Sequence, residues 1–318
     1  MMSRKRLLLT LAVVLSASGI ETVSADTKRK TSAGCKVAAD GHGDPATPVK
    51  SGYVKVGRAK LYYEELGEGY PLVLIHGGGI DLRMWDQQFE VFAEHFRVIR
   101  YDVRGHGRSR CGREDFSDQE DLRGLLKQLG IERAHMVGLS LGGFIAIDFA
   151  LQYPQMVSAL IPVSPGLSGY PNDSEQVRAH RAELGAAFGD GDLEGAIEIA
   201  LRAWIDGPHR EPAEVDPAVR ERVRVMAREG IGRFVSRAGL QGLDPPAFER
   251  LAEIRVPTLC IIGDIDMPDL RAIMDAIVSN VPGAEKVVVP GVAHMVNMEK
   301  PREFNRIVLD FLSRHCRR

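Results

Sequence analysis

The stretch HMVGLSLGGFIAIDFA, His135–Ala150, sets a lone serine between two glycines, where a run that reads as a buried strand meets one that reads as a helix. Its fixed members, Gly138, Ser140 and Gly142, match G-x-S-x-G. A sharp strand-to-helix turn crowds its own backbone, and glycines two residues either side remove the Cβ atoms that would clash. Such a turn lifts the serine above the sheet at a helix N-terminus, where free N–H groups and the helix dipole favour an oxyanion. The alternative for Ser140 is an ordinary tight turn, so the rest of the chain has to decide.

Around this turn, apolar runs alternate with amphipathic segments. YVKVG and KLYYEEL predict a hairpin, PLVLIHG and FRVIRYD buried strands, and MWDQQFEVFAEHF between them a helix. DLRGLLKQLG follows as a helix, AHMVGLS as a strand, LGGFIAIDFALQYP as a helix and MVSALIPVS as a strand. From about Ser168 to Glu253 the patterns are helical: SEQVRAHRAELGAAF, LEGAIEIALRAWIDG and PAVRERVRVMAREG. Alternation resumes with VPTLCIIGD, LRAIMDAIVSN, EKVVVPG and REFNRIVLDFLSRH. Buried runs separated by helices predict an α/β fold, a mostly parallel sheet covered on both faces. The helical stretch is then an insertion after the sixth strand, at the sheet end where such folds place ligands. The expected division is 51–167 and 254–318 as the core and 168–253 as a helical lid.

The N-terminal residues differ in character. SRKR followed by LLLTLAVVLSASGI and VSA predicts a cleaved signal peptide over residues 1–25, and with it an exported protein, periplasmic or secreted. The apolar run is shorter than the roughly 20 residues of a membrane-spanning helix, so no stable membrane insertion is expected once the signal is removed. Residues 26–50 are polar and aperiodic and read as a linker. In an oxidising compartment Cys35, Cys111 and Cys316 are open to pairing, while Cys260, inside an apolar run, reads as core. With 26% charged residues and a net charge of −2, the 318-residue chain has no basic surface for nucleic acid, and a small molecule is the expected partner.

A serine hydroxyl needs a base to take its proton, and the base needs a carboxylate to orient it. Downstream of Ser140, His180 and His209 fall in the insertion and His315 trails the last helix; His294 alone sits in a loop just after a sheet strand. The acid belongs after the preceding strand, which leaves Asp264, Asp266 and Asp269.

LCIIGDIDMPD and VVVPGVAHMVNMEKPREFN resemble the α/β-hydrolase superfamily pattern, in which a G-x-x-D turn carries the acid and G-x-x-H-x-x-x-x-E-x-P the base. LVLIHGGGIDLRMWD resembles its oxyanion loop and YDVRGHGRS its D-x-R-G-x-G-x-S turn. The resemblance covers the chain from about Ser51 to the last helix, apart from the insertion. It implies Asp266 and His294 as partners of Ser140, with Asp264 the alternative acid. It also implies an oxyanion hole from the backbone N–H groups of Gly78 and Leu141, and structural support from His76, Arg104 and His106.

Serine at the elbow argues against relatives that use Asp or Cys there. Carbon–carbon bond hydrolases of this fold tend to carry Asn before the serine and an aromatic after the histidine, where this chain has Leu139 and Met295. The overall pattern is similar to 3-oxoadipate enol-lactonases and small-ester carboxylesterases. The activity so implied is ester or lactone hydrolysis, with no metal or organic cofactor. The alternatives are a serine perhydrolase or non-haem haloperoxidase, an amidase, and a catalytically silent binding protein. In the insertion, Trp204, Phe188, Met226 and Phe234 are candidates either for a substrate pocket or for the insertion's own core.

Overall fold

The computed structural model describes residues 48–315 except 113, 172 and 235–238; the side chains of residues 231–234 are also outside the description. The segment expected to be a signal peptide and most of the expected linker, with Cys35, Cys316 and the Phe234 side chain, therefore lie outside the described residues.

The strands form where the apolar runs predicted them: β1 Lys50–Val56, β2 Ala59–Leu66, β3 Pro71–Ile75, β4 Arg97–Tyr101, β5 Ala134–Leu139, β6 Val157–Val163, β7 Leu259–Gly263 and β8 Glu285–Val289. They make one eight-stranded sheet in the order β1-β2-β4-β3-β5-β6-β7-β8. β2 is the one strand of this sheet that runs against the others, pairing antiparallel with β1 on one side and β4 on the other, and β4-β3-β5-β6-β7-β8 are parallel.

Both faces are covered, and the period of two along each strand explains the two cores. In β3, Val73 and Ile75 face one cluster and Leu72 and Leu74 the other. In β7, Cys260 and Ile262 face the first and Leu259 and Ile261 the second. Cys260 is a buried core residue whose thiol is pushed up to about 12 by burial. The second face carries α1, Asp86–Ala93, with Trp85, Phe89 and Phe92 packed in its cluster. The first takes residues from α2, Asp118–Gln128, and α3, Leu141–Gln152.

Between β6 and β7 the chain forms α4, Glu175–Asp190, α5, Leu193–Leu201, a π-turn at Arg202–Asp206, α6, Pro217–Phe234, and the one-turn α7, Ala247–Arg250. Local chemistry sets these boundaries. Ser174 caps the Val177 N–H at the start of α4, Gly191 ends it at φ 74°, and Asp192 caps the Gly195 N–H at the start of α5. Ile197, Leu201, Val219, Val223 and Met226 then join the second core, so Met226 is a buried core residue shared between the insertion and the sheet's second face. The chain closes with α8, Pro268–Asn280, α9, Val296–Glu299, and α10, Pro301–His315, which lays Phe304, Val308, Phe311 and Leu312 on the same core. Among the described residues, no helix is long and apolar enough to cross a membrane.

One charge interrupts the apolar helix α3. Asp148 is fully buried, accepting from Gln119 Nε2 at 2.9 Å and Ser168 Oγ at 3.0 Å. Burial pushes its carboxyl up to about 7; the Asp118 charge adds to this, while the Ser168 and Gln119 hydrogen bonds and Arg250 oppose it. A free aspartate ionises near about pH 3.9. Between there and about pH 7 the folded chain binds the extra proton, so this group lowers stability as pH rises through that window. Asp148→Asn is expected to melt on the order of 5 °C above wild type at pH 8, with the gap closing by pH 4.5 in fluorimetric melts.

Candidate active site

The parallel register brings the ends of β5, β6, β7 and β8 side by side, with Leu139 beside Val163 and Gly263 beside Val289. Ser140 follows β5 directly with φ 57° and ψ −113°, outside the regions ordinary L-residues favour. Such strain is held by its surroundings, and here the surroundings are backbone. A Cβ on Gly138 would lie 2.1 Å from the Gly142 carbonyl oxygen, and one on Gly142 would lie 2.0 Å from the Ile75 oxygen. Both glycines are thus obligatory, and the second packs the elbow against the end of β3, where the HGG loop begins.

That loop is pinned from below. The Val103 N–H donates to His76 Nε2 at 2.9 Å, so Nδ1 carries the ring proton and donates to the Gly77 carbonyl at 2.7 Å. Asp102 holds the next turn by accepting from the Leu82 and Arg108 N–H groups at 2.9 and 2.7 Å. Arg104 is buried in a bidentate pair with Asp121, both contacts at 2.7 Å, beneath the Phe116 ring. His106 packs edge-on to His76. His76, Arg104 and His106 are therefore scaffold. Gly78 lies exposed in the HGG loop and Leu141 half-buried at the first turn of α3.

Asp266 and His294 arrive on the loops after β7 and β8. His294 Nδ1 lies 3.1 Å from Asp266 Oδ2, both residues being almost fully buried. Asp266 Oδ1 takes the Met267 N–H at 2.8 Å, which fixes the carboxylate plane. A carboxylate only accepts, so Nδ1 holds the proton and Nε2 is left as the basic nitrogen. The two loops come this close because of Gly263: a Cβ there would lie 2.2 Å from the Val292 oxygen and 2.3 Å from the Ala293 oxygen. Asp264 instead accepts the Gly291 N–H at 2.7 Å, and Asp269 bonds Ser174 Oγ. Of the three carboxylates open in the sequence, Asp266 is the one against the histidine.

The insertion reaches this pair through Trp204. Its ring lies 4.8 Å from that of His294, tilted 45°, and His180 of α4 stands edge-on to its indole at 5.5 Å. Burial lowers the His180 pKa, opposed by Glu183 and reinforced by Arg181 and Arg202. Nothing in the spacing of these residues announces the row. Phe188 is half-buried on α4. His209 is exposed, and His315 lies on the last helix beside Phe311 and Glu285.

A model of the alpha/beta hydrolase fold family matches residues 70–301. A 2-hydroxy-6-oxononadienedioate/2-hydroxy-6-oxononatrienedioate hydrolase of Burkholderia vietnamiensis is 30% identical over 80% of this chain and 91% of its own length. A pimeloyl-[acyl-carrier protein] methyl ester esterase of Yersinia enterocolitica is 30% identical over 79% of this chain and 97% of its own. Among solved structures, the enol-lactonase of Burkholderia xenovorans LB400 superposes with a TM-score of 0.70 at 25% identity, covering 82% of this chain and all of that one.

Proposed function

Since the chain belongs to the α/β-hydrolase fold family, we propose that it is a serine hydrolase cleaving a carboxylic ester or lactone of a small molecule through an acyl-enzyme on Ser140. The observation that carries this is the buried Asp266–His294 contact at 3.1 Å, on the loops after β7 and β8, at the same end of the parallel sheet as a serine held at φ 57°. In the proposed cycle His294 Nε2 takes the Ser140 proton as Oγ attacks the carbonyl, and returns it to the leaving alcohol. Water then repeats the exchange and releases the acid. Asp266 keeps the ring in its tautomer and stabilises the imidazolium. The Gly78 and Leu141 amides bind the oxyanion, a contribution of about 100- to 1,000-fold per donor. Helices α4–α6 act as the lid.

Hydrolysis of p-nitrophenyl acetate and butyrate by the purified protein is the first test; absence of turnover on these, on aryl esters and on lactones would remove the proposal. Asp266→Asn and Asp264→Asn separate the two acids. The first is expected to lower kcat by about 100- to 10,000-fold, because an amide cannot hold the same tautomer. The second is expected to stay within about threefold. Equal losses would contradict the assignment of Asp266.

The Burkholderia vietnamiensis relative supports a second substrate class, a 2-hydroxy-6-oxo dienoate. Leu139 and Met295 weigh against it, and a substrate panel containing such a dienoate beside the esters decides. Peroxide-dependent oxidation in carboxylate buffer would mark the perhydrolase alternative, which uses the same three side chains.

A further inference from the structure

Beyond Trp204, the insertion holds the histidine loop at a second point. The turn after α5 ends with Gly207 at φ 75°, where a Cβ would lie 2.8 Å from the Ile265 carbonyl oxygen and 2.9 Å from Ala293 Cβ. The backbone of this turn thus lies against the residues that immediately precede Asp266 and His294. Three residues on, Arg210 ties both sides together. Its Nη2 and Nε donate to the Ile205 and Asp206 carbonyls at 2.6 and 2.8 Å, groups that the end of a helical turn leaves without intrahelical partners. Its Nη1 donates to Glu299 Oε2 at 2.7 Å and reaches the Gly291 carbonyl at 3.3 Å. The other oxygen of Glu299 accepts the Ala293 N–H at 3.0 Å, one peptide from His294. Both side chains are nearly withdrawn from water, at 12% and 8% exposure, so the pair is little screened.

We infer that Arg210 is a positioning residue for His294: through Glu299 it fixes the loop that carries the imidazole, and through Ile205 and Asp206 it fixes Trp204 against the imidazole ring. The inference rests on the proposed roles of Ser140 and His294. In acyl transfer the imidazole has to stay aligned between nucleophile and leaving group, and small displacements cost rate steeply. It also becomes an imidazolium, which an indole 4.8 Å away attracts through its ring quadrupole. Neither effect requires Arg210 to touch substrate. Asp206 is itself buried and held by Arg220 at 2.9 and 3.0 Å, so the turn is anchored on the insertion side independently of Arg210.

Arg210→Met is expected to lower kcat for p-nitrophenyl butyrate about 10- to 100-fold while KM moves less than about threefold. Glu299→Gln, which keeps the acceptor for Ala293 but loses the charge, is expected to fall the same way to a smaller extent. The double variant should be no worse than Arg210→Met alone, because one contact is removed twice. Arg210→Lys restores the charge without the fork and should recover part of the loss. Acrylamide quenching, which reports Trp204 because Trp85 is fully buried, should rise in Arg210→Met. Wild-type kcat in folded Arg210→Met, additive losses in the double variant, or unchanged quenching would each overturn the inference. If Arg210→Met does not fold, Glu299→Gln carries the test, and an unchanged kcat there has the same force. Ser140→Ala run in parallel separates the two levels. Activity lost there but unaffected by Arg210→Met removes the Arg210 role alone; activity kept there removes the assignment beneath it.

Discussion

Ser140→Ala is expected to reduce the hydrolysis of p-nitrophenyl butyrate by about 1,000-fold or more while the protein melts within about 2 °C of wild type. The size follows from removing the proposed nucleophile, which would leave the proposed oxyanion donors and binding alone. The unchanged melting follows from the structure. Ser140 holds its φ of 57° because Gly138 and Gly142 are packed on neighbouring backbone, and alanine meets the same constraint with one atom fewer. The hydroxyl accepts no structural burden: the elbow is held by its backbone, with the Ser140 N–H donating to the Val163 carbonyl and its carbonyl accepting the Phe144 N–H, each at 2.9 Å. Steady-state kinetics beside a thermal melt check both halves. A retained rate contradicts the nucleophile, and a large loss of stability contradicts the backbone account of the elbow.

Gly142→Ala is expected to do the reverse, damaging fold and activity together. The added methyl would lie 2.0 Å from the Ile75 oxygen and 2.9 Å from the His76 oxygen. Neither is a flexible side-chain end that can swing away, so α3 or the HGG loop has to move. Overpacking at buried positions costs about 1–3 kcal/mol, and a clash with backbone belongs at or above the top of that range. A fall in Tm on the order of 5–10 °C follows. Since α3 and the HGG loop carry the proposed oxyanion donors Leu141 and Gly78, activity should fall by more than the unfolded fraction explains. A variant with wild-type Tm and kcat would contradict the tight approach of elbow and loop.

Much of this was legible in the chain because two periodicities were enough. Runs such as PLVLI and LCIIG carry the continuous hydrophobicity of strands buried on both faces, and GLSLGG carries the glycines its turn cannot do without. The acid was only partly legible. Asp264 and Asp266 sit two residues apart in one turn, and pattern alone cannot tell that the first caps the Gly291 N–H while the second meets His294. Trp204 stood among several apolar residues of the insertion as a candidate for pocket or core, and its contact with His294 depends on how helices from distant segments pack. Arg210 had no signal at all: its partners are two carbonyls just before it and, far along the chain beyond β7 and β8, the Gly291 carbonyl and the Glu299 carboxylate. Asp148 did have one, as the single charge in LGGFIAIDFALQ, and its burial explains the anomaly without involving the reaction.

The most direct test is to label the protein with a fluorophosphonate and map the adduct by mass spectrometry. A single adduct on the peptide containing Ser140, formed in step with loss of esterase activity and absent from Ser140→Ala and His294→Ala, is the predicted result. An adduct on another residue that abolishes activity, or full activity in protein completely labelled at Ser140, would contradict it.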